Sequence, residues 1–522
     1  MILDMRSQPS GQRLEYDLCL IGAGAAGLTI ANALRDSGLR ICVLEGGGLE
    51  IDAESQALYE GANIGLPYFP LDVCRLRYFG GTTGHWAGIC RPVLGDEMGG
   101  VAWLERDAWP IRPGDLEPYQ TQAAAQIGLP TDRWDNESWE RQLDAPLLPV
   151  DPALFHSQMF LMLPTRMGPQ FEPVMKEAGN VHVWLNANVV DLELSADGTR
   201  CSAVAVRTLS GIATSVVARI VVVCAGGIEN ARLLLACNRV QASGIGNAHD
   251  QVGRYFTDHP AVLAGSLVPT DPHPPLRFYD RVFVSDYASI GHLLLTDETM
   301  RRQQLVLGSV RLDPVDDPDL AGPGLDALRS IKNDLYHGRF PDDLAESVAK
   351  MAADISPLTE LAWHRLVYGQ APVSSVDVRV AISPAPNPDS RVMLGEQRDP
   401  LGMPRVVLDW RLSEIDRRTF SATVDLFARE AGRLNLGRVK KLIDDSLDWN
   451  IDIEGVGHAI CTTRMSSDPR HGVVDRDCRI WGMDNIYVAG SSVFSTPPGG
   501  TPTLLLVTLA LRLADHLRQR LA

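Results

Sequence analysis

The run Tyr16-Asp17-Leu18-Cys19-Leu20-Ile21-Gly22-Ala23-Gly24-Ala25-Ala26-Gly27, continued through Leu28–Ser37 and Arg40–Leu44 to Glu45, decides the fold. An apolar strand, Leu18–Ile21, leads into a glycine turn, then an amphipathic helix over Leu28–Ser37, then a second apolar strand. That strand ends on an acid eighteen residues past Gly27. Strand, Gly-x-Gly-x-x-Gly turn, helix, strand and acid in this order make a βαβ dinucleotide-binding unit. Gly22 permits the tight turn, Gly24 lets a pyrophosphate approach the backbone, and Gly27 lets helix and strand pack closely. Glu45 is placed to accept hydrogen bonds from ribose hydroxyls.

Working outward, Asn180–Asn186 and Val189–Leu194 read as strands, Ala203–Thr208 with Ala213–Val216 as a hairpin, and Ala218–Cys224 as a buried strand. The last ends in Ala225-Gly226-Gly227 before a helix over Glu229–Cys237, so the sheet returns to the cofactor. A late strand, turn and helix over Asn485–Leu517 joins it. One fingerprint, with no second for a nicotinamide cofactor, points to a flavin domain. The expected class is α/β, with a Rossmann-like FAD-binding domain assembled from residues 14–100, 180–260 and 455–522. Residues 101–179 and 261–454 are left for an α+β substrate-binding domain with an antiparallel sheet. There Val376–Ile382, Arg391–Leu394 and Val406–Trp410 read as strands of one sheet, and Glu414–Leu434 as an amphipathic helix. Pro269–Pro275 and Asp313–Pro323, rich in Pro and Asp, read as irregular surface.

The 522 residues carry 48 basic and 65 acidic side chains, a formal charge of −17, which argues against phosphate-backbone or anionic-membrane partners. No apolar stretch approaches the roughly 20 residues that span a bilayer. The N-terminal residues are mostly polar and lack the features of a secretory signal, so a cytoplasmic location is expected. Nine scattered cysteines (19, 42, 74, 90, 201, 224, 237, 461 and 478) suggest neither a zinc site nor a disulfide framework. They read as small buried hydrophobes, and no metal is expected.

The pieces and their order resemble the glucose–methanol–choline (GMC) oxidoreductases, flavoenzymes that oxidise alcohols. Four blocks carry the resemblance: the fingerprint, Gly80-Gly81-Thr82-Thr83-Gly84-His85-Trp86-Ala87-Gly88, Val252-Gly253-Arg254-Tyr255-Phe256-Thr257-Asp258-His259-Pro260, and Gly457–Leu517. Trp109-Pro110-Ile111 and Pro386–Val392 are smaller echoes, and roughly Asp271–Pro372 lies outside. The resemblance implies FAD as cofactor. It places Ala25, Ala26, Gly46, Gly81, Thr82, Gly84, His85, Trp86, Val189, Ala225, Gly226, Gly490, Pro502 and Thr503 beside it, with Gly22, Gly24, Gly27 and Glu45 of the fingerprint. His85 occupies the loop position where some relatives attach FAD covalently; a noncovalent contact is the alternative.

The chemistry falls to His458-Ala459-Ile460-Cys461-Thr462-Thr463-Arg464-Met465, which resembles the family's HxxGTxRM pattern with Cys461 in place of Gly. Alcohol oxidation removes a hydroxyl proton while a hydride leaves the same carbon, and His458 is the residue that suits the proton. Where relatives place a second His or Asn this chain has Thr501, able to make one hydrogen bond to the substrate oxygen but not to act as a second base. The helix over Thr503–Arg520, begun by Pro502, turns its positive end toward the cofactor. Gly226–Arg232 and the Asn387–Val392 run resemble sugar-oxidising bacterial branches, so the expected substrate is a small-molecule alcohol: a polyol, sugar, glycoside or aminoglycoside. The electron acceptor, oxygen or another carrier, and the oligomeric state stay open. A lyase of this fold without net redox, or a noncatalytic flavin-binding subunit, are the alternatives.

Overall fold

The computed structural model describes residues 1–93, 95–104, 108–130, 134–317, 322–336, 340–341, 343–443, 453 and 455–522. Its first sheet contains β1 (Ile2–Asp4), β2 (Gln12–Ile21), β3 (Ile41–Leu44), β7 (Val181–Leu185), β8 (Asn188–Leu194), β9 (Cys201–Arg207), β10 (Ala213–Val223) and β19 (Ile486–Val488). The order is β1-β7-β3-β2-β10-β9-β8, with β19 also on β10. Pairing is parallel from β1 to β10 and on to β19, and antiparallel at β9 and β8. Leu18–Ile21, all of β3 and Ile220–Val223 are buried without alternation, as parallel strands covered on both faces must be. Each Leu, Ile or Val so buried is worth about 1.5–3 kcal/mol.

One reading changes here. The hairpin strand and the buried strand expected on either side of Val217 are one element, β10. Its first half alternates exposed and buried residues and its second half is wholly buried. The periodicity changes where the strand passes from a half-covered region into the core, not where it ends. β1 draws the first residues into the same sheet, and the N-terminal amine donates to the carbonyls of Met175, Ala178 and Val181.

The second sheet contains β5 (Ile89–Cys90), β6 (Phe155–Met162), β11 (Ala261–Pro269), β12 (Val282–Val284), β13 (Tyr287–Leu295), β14 (Leu307–Asp316), β15 (Val373–Ser383) and β18 (Gly437–Lys441). It is antiparallel in the order β18-β11-β15-β14-β13-β6-β5, with β12 on β13. A third sheet contains β4 (Gly61–Asn63), β16 (Arg391–Arg398) and β17 (Pro404–Asp409). The three strands expected in one sheet are therefore divided, because Arg391 to Trp410 is a hairpin that pairs with β4 rather than with β15. Asp313–Asp316, read as irregular surface, is the end of β14. Its acids are tied to Arg311, Arg379 and Arg329, so polarity there marks ion pairs and not a loop.

Four helices position the site: α1 (Ala25–Leu34), α2 (Gly227–Ala236), α3 (Glu414–Arg433) and α4 (Thr503–Leu521). α1 follows the glycine turn and packs against α4. α3 begins with a capping box between Ser413 and Asp416 and covers one face of the second sheet. A β-carbon on Gly308 would meet Thr423 of α3 at 2.5 Å. Leu307, Ser309 and Arg311, one residue out of phase, therefore turn to the opposite face. That face and the C-terminal ends of β2, β3 and β10 enclose a cavity of about 800 Å³.

Candidate active site

The glycine turn after β2 forms one end of this cavity. Gly22 has φ +110°, and a β-carbon on it would stand 2.6 Å from the Cys224 carbonyl oxygen; one on Gly27 would collide with the carbonyl of Gly22. Those two glycines serve packing, and Gly27 does not reach the cavity. Gly24 is different: its φ needs no glycine and a β-carbon there would meet nothing within 4 Å. A close approach from the open side is what remains to account for it. Gly226 and Gly490 border the same space with φ of +94° and +116°. Ala25, Ala26, Gly46, Val189 and Ala225 line it as well. Glu45 is buried there, but its carboxylate accepts from the N–H groups of Ala23 and Gly47, both at 2.9 Å. It braces the two glycine-rich turns, a role its position in the fingerprint does not disclose.

The second glycine block brings Gly81, Thr82, His85 and Trp86 to the cavity. His85 is exposed, and the Trp86 indole donates to the Thr165 carbonyl at 2.7 Å. Gly84 does not line the cavity; it makes room for the Tyr78 hydroxyl. Opposite, Pro502 and Thr503 open α4, whose N-terminus no side chain caps. Thr501 Oγ1 is buried there without a hydrogen-bond partner. The unexplained Gly24, the uncapped nineteen-residue helix and the orphaned hydroxyl fit a large anionic dinucleotide lying along the cavity.

His458 lines the cavity with its side chain 28% exposed. Its Nδ1 lies 3.0 Å from Nδ1 of His259, and His259 Nε2 lies 2.6 Å from the carbonyl oxygen of Pro498. A carbonyl only accepts, so His259 carries its proton on Nε2 and its Nδ1 is an acceptor. His458 must then be the Nδ1–H tautomer, and Nε2 is the bare nitrogen left for a ligand. Burial lowers both imidazoles to about 4, so both are neutral at physiological pH. Asp258, fully buried, accepts from the backbone N–H groups of His259, Val456, Gly457 and His458 at 2.7–3.0 Å. Burial raises its carboxyl, opposed by those N–H groups and His259. These three residues offer ligand atoms within 4.8 Å of one another, the grouping a metal needs, yet each is already committed to this relay.

Family models described as GMC oxidoreductase match residues 170–261 and 386–510. The chain is 22% identical to the fructose dehydrogenase large subunit of Gluconobacter japonicus, over 97% of this chain and 98% of that one. It is 26% identical to the C-glycoside 3-oxidase of Microbacterium trichothecenolyticum, over 84% and 74%. Among solved structures, pyridoxine 4-oxidase from Mesorbium loti superposes with a TM-score of 0.57 at 17% identity, over 96% and 98%.

The chain belongs to the GMC oxidoreductase family. With the family comes FAD as cofactor and oxidation of alcohols as activity. In this GMC oxidoreductase, Cys461 stands in the left-handed region at φ +70°, the conformation for which its relatives' Gly is suited. Its thiol is buried and its N–H donates to Ser491 at 3.2 Å, so surrounding packing holds the strain.

The structure adds residues that the sequence reading passed over. His259 and Asp258 stood inside the Val252–Pro260 block, where an adjacent acid and imidazole were the available signal. Arg91 donates to the Gly499 carbonyl at 2.6 Å and pairs with Glu97, which accepts from the Gly499 N–H at 2.8 Å, so the loop carrying Thr501 is clamped. From the second sheet, Phe160, His292, Ser309, Arg311, Arg379 and Ser383 face the cavity. His292 stacks on Phe160 with centroids 4.3 Å apart, and its buried Nδ1 has no partner. No motif surrounds these six, which only strand register brings together. Among the described residues no helix is long and apolar enough to cross a membrane.

Proposed function

We propose that this enzyme oxidises a CH–OH group of a sugar-like, polyol, glycoside or aminoglycoside substrate to the carbonyl, with Nε2 of His458 as the base. The observation that carries this reading is the chain Pro498 C=O, His259, His458, which leaves Nε2 unprotonated. Bound FAD supplies the acceptor for the hydride. His458 takes the hydroxyl proton, and its Nδ1–H stays donated to His259. The Asp258 carboxylate, 3.9 Å from that Nδ1, favours the imidazolium that results. Thr501 Oγ1 offers one hydrogen bond to the substrate oxygen, and the N-terminus of α4 favours negative charge beside it.

A fructose dehydrogenase and a C-glycoside 3-oxidase among the relatives support the substrate class, as does a cavity wall that mixes Phe160, Leu294 and Leu307 with Ser309, Ser383 and His292. Free, mostly buried cysteines suit a reducing, cytoplasmic setting. Oxygen or another carrier takes the electrons in turn. Anaerobic mixing with sugars, polyols, glycosides and aminoglycosides, followed at the oxidised-flavin band, tests the reading. His458→Ala should keep FAD and slow bleaching by roughly 100- to 10,000-fold. Bleaching by none of these alcohols, or at an undiminished rate in the variant, would overturn it. Readmitted air separates an oxidase, which recolours quickly, from a dehydrogenase. His85 faces the cavity where it can touch FAD or bond to it; flavin in an acid pellet marks the bond, flavin in the supernatant its absence.

A further inference from the structure

The far wall of the cavity is built by cross-strand register. On β14 and β15, Ser309 stands opposite Ala381, Arg311 opposite Arg379, and Asp313 opposite Asp377. Arg311 and Arg379 both line the cavity, with side chains 34% and 33% exposed, whereas Asp313 and Asp377 do not line it. Like charges directly opposite on one sheet face repel. Asp313 lies behind the pair: its Oδ1 takes Nε and Nη2 of Arg311, both at 2.7 Å, and its Oδ2 lies 3.5 Å from Nε of Arg379. This clamp occupies Nε and Nη2 of Arg311. Its Nη1 makes no hydrogen bond among the described residues.

Next to this pair, His292 is held flat by Phe160, and burial, with Arg311 and Arg91 adding to it, holds its imidazole down to about 3. The two guanidinium groups add a positive field at that point of the wall to the larger effect of burial. The reacting end is fixed on the same strand. Ser383 Oγ donates at 3.0 Å to the Pro498 carbonyl that also holds His259. Arg379, and Arg311 across from it, stand four residues along, roughly 13 Å at 3.3 Å per residue.

We propose that Arg311 selects an anionic sugar: a polyhydroxylated ring, oxidised near His458, whose carboxylate or phosphate is received on the free Nη1 edge at the other end of the cavity. The inference rests on the sugar-oxidising reading and narrows it, against a cationic aminoglycoside. The chain's net charge of −17 does not oppose it, since charges beyond the Debye length of about 8–10 Å are largely screened while the wall is in contact.

Binding is measured on the FAD-loaded His458→Ala protein, so that chemistry does not intervene, by calorimetric titration with methyl glucoside, methyl glucuronoside, glucose 6-phosphate and glucosamine. The carboxylate and phosphate arms separate the two anion sources. At least one anion should bind 10-fold or more tighter than methyl glucoside, with glucosamine weakest. Adding Arg311→Met should lower the anion-to-neutral ratio roughly 10- to 100-fold, the range of a charged hydrogen bond, and Arg311→Lys should keep much of it. FAD content and melting temperature check that both variants fold. Equal binding of neutral and anionic sugars, tightest binding of glucosamine, or a ratio unmoved in Arg311→Met would overturn the assignment. Anion-selective binding together with wild-type flavin that no sugar bleaches would instead sink the oxidation reading and leave the Arg311 site standing.

Discussion

Replacing His259 by Leu should disable the base without touching it. In the wild type, Nδ1–H of His458 is satisfied by His259 Nδ1 at 3.0 Å, and this bond fixes which ring nitrogen is bare. The two neutral tautomers of an imidazole are otherwise close in energy. Without an acceptor at position 259, the productive tautomer leaves a buried N–H unpaired, at about 1–3 kcal/mol. The other tautomer, with its proton on Nε2 toward the cavity, avoids that cost. The base-competent fraction should fall by roughly 5- to 150-fold, since 1.4 kcal/mol is a factor of ten. Ser383 still donates to the Pro498 carbonyl at 3.0 Å, so the loop keeps a tether. His259→Asn should recover much of the rate, because Oδ1 of Asn can occupy the place of Nδ1 and accept the same proton. The assay is anaerobic stopped-flow reduction of bound FAD at saturating substrate, with FAD content and melting temperature as controls. A Leu variant that reduces FAD within about threefold of wild type, or an Asn variant no better than Leu, would refute the tautomer argument.

Three more predictions come from the same geometry. With His458 and His259 held near 4, flavin reduction should stay flat above about pH 6 and fall as pH drops toward 4; a midpoint near 6.5 would contradict the burial argument. For stability the sign is the same: the unfolded imidazoles bind protons from about 6.5 downward and the folded ones only near 4, so stabilisation present above 6.5 is lost across that window. For His259 alone it is on the order of 3 kcal/mol, and a melting temperature unchanged from pH 7 to 4 would count against it. Gly24→Leu should leave the apoprotein's melting temperature near wild type yet weaken FAD binding, whereas Gly22→Ala, at φ +110° against the Cys224 carbonyl, should destabilise the fold itself; equal effects on both quantities would undo the distinction. Cys461→Val should cost about 1–3 kcal/mol in denaturant unfolding, because a β-branched side chain tolerates φ +70° worse than Cys, and a neutral result would mean the loop relaxes.

The glycine-turn end of the cavity was legible in the chain because it is local. Gly22, Gly24, Gly27, the strands around them and Glu45 lie within thirty residues, and their spacing alone encodes turn, approach and packing. His458 was legible for a similar reason, carried by a short motif. Even there, contacts changed the meaning of single residues: Gly84 serves Tyr78, and Glu45 braces two backbone turns. The relay and the far wall of the cavity were not legible. His259 reaches His458 across 199 positions, and Arg311 meets Arg379 across 68 only because β14 and β15 pair in one register out of several possible ones. A strand's pattern says which residues share a face, but which strand lies beside it is a choice made by the whole core. The motifs therefore determined which glycine turns and which imidazole border the cavity. The tautomer of that imidazole, and the paired arginines on the cavity's far wall, were decided by the tertiary structure.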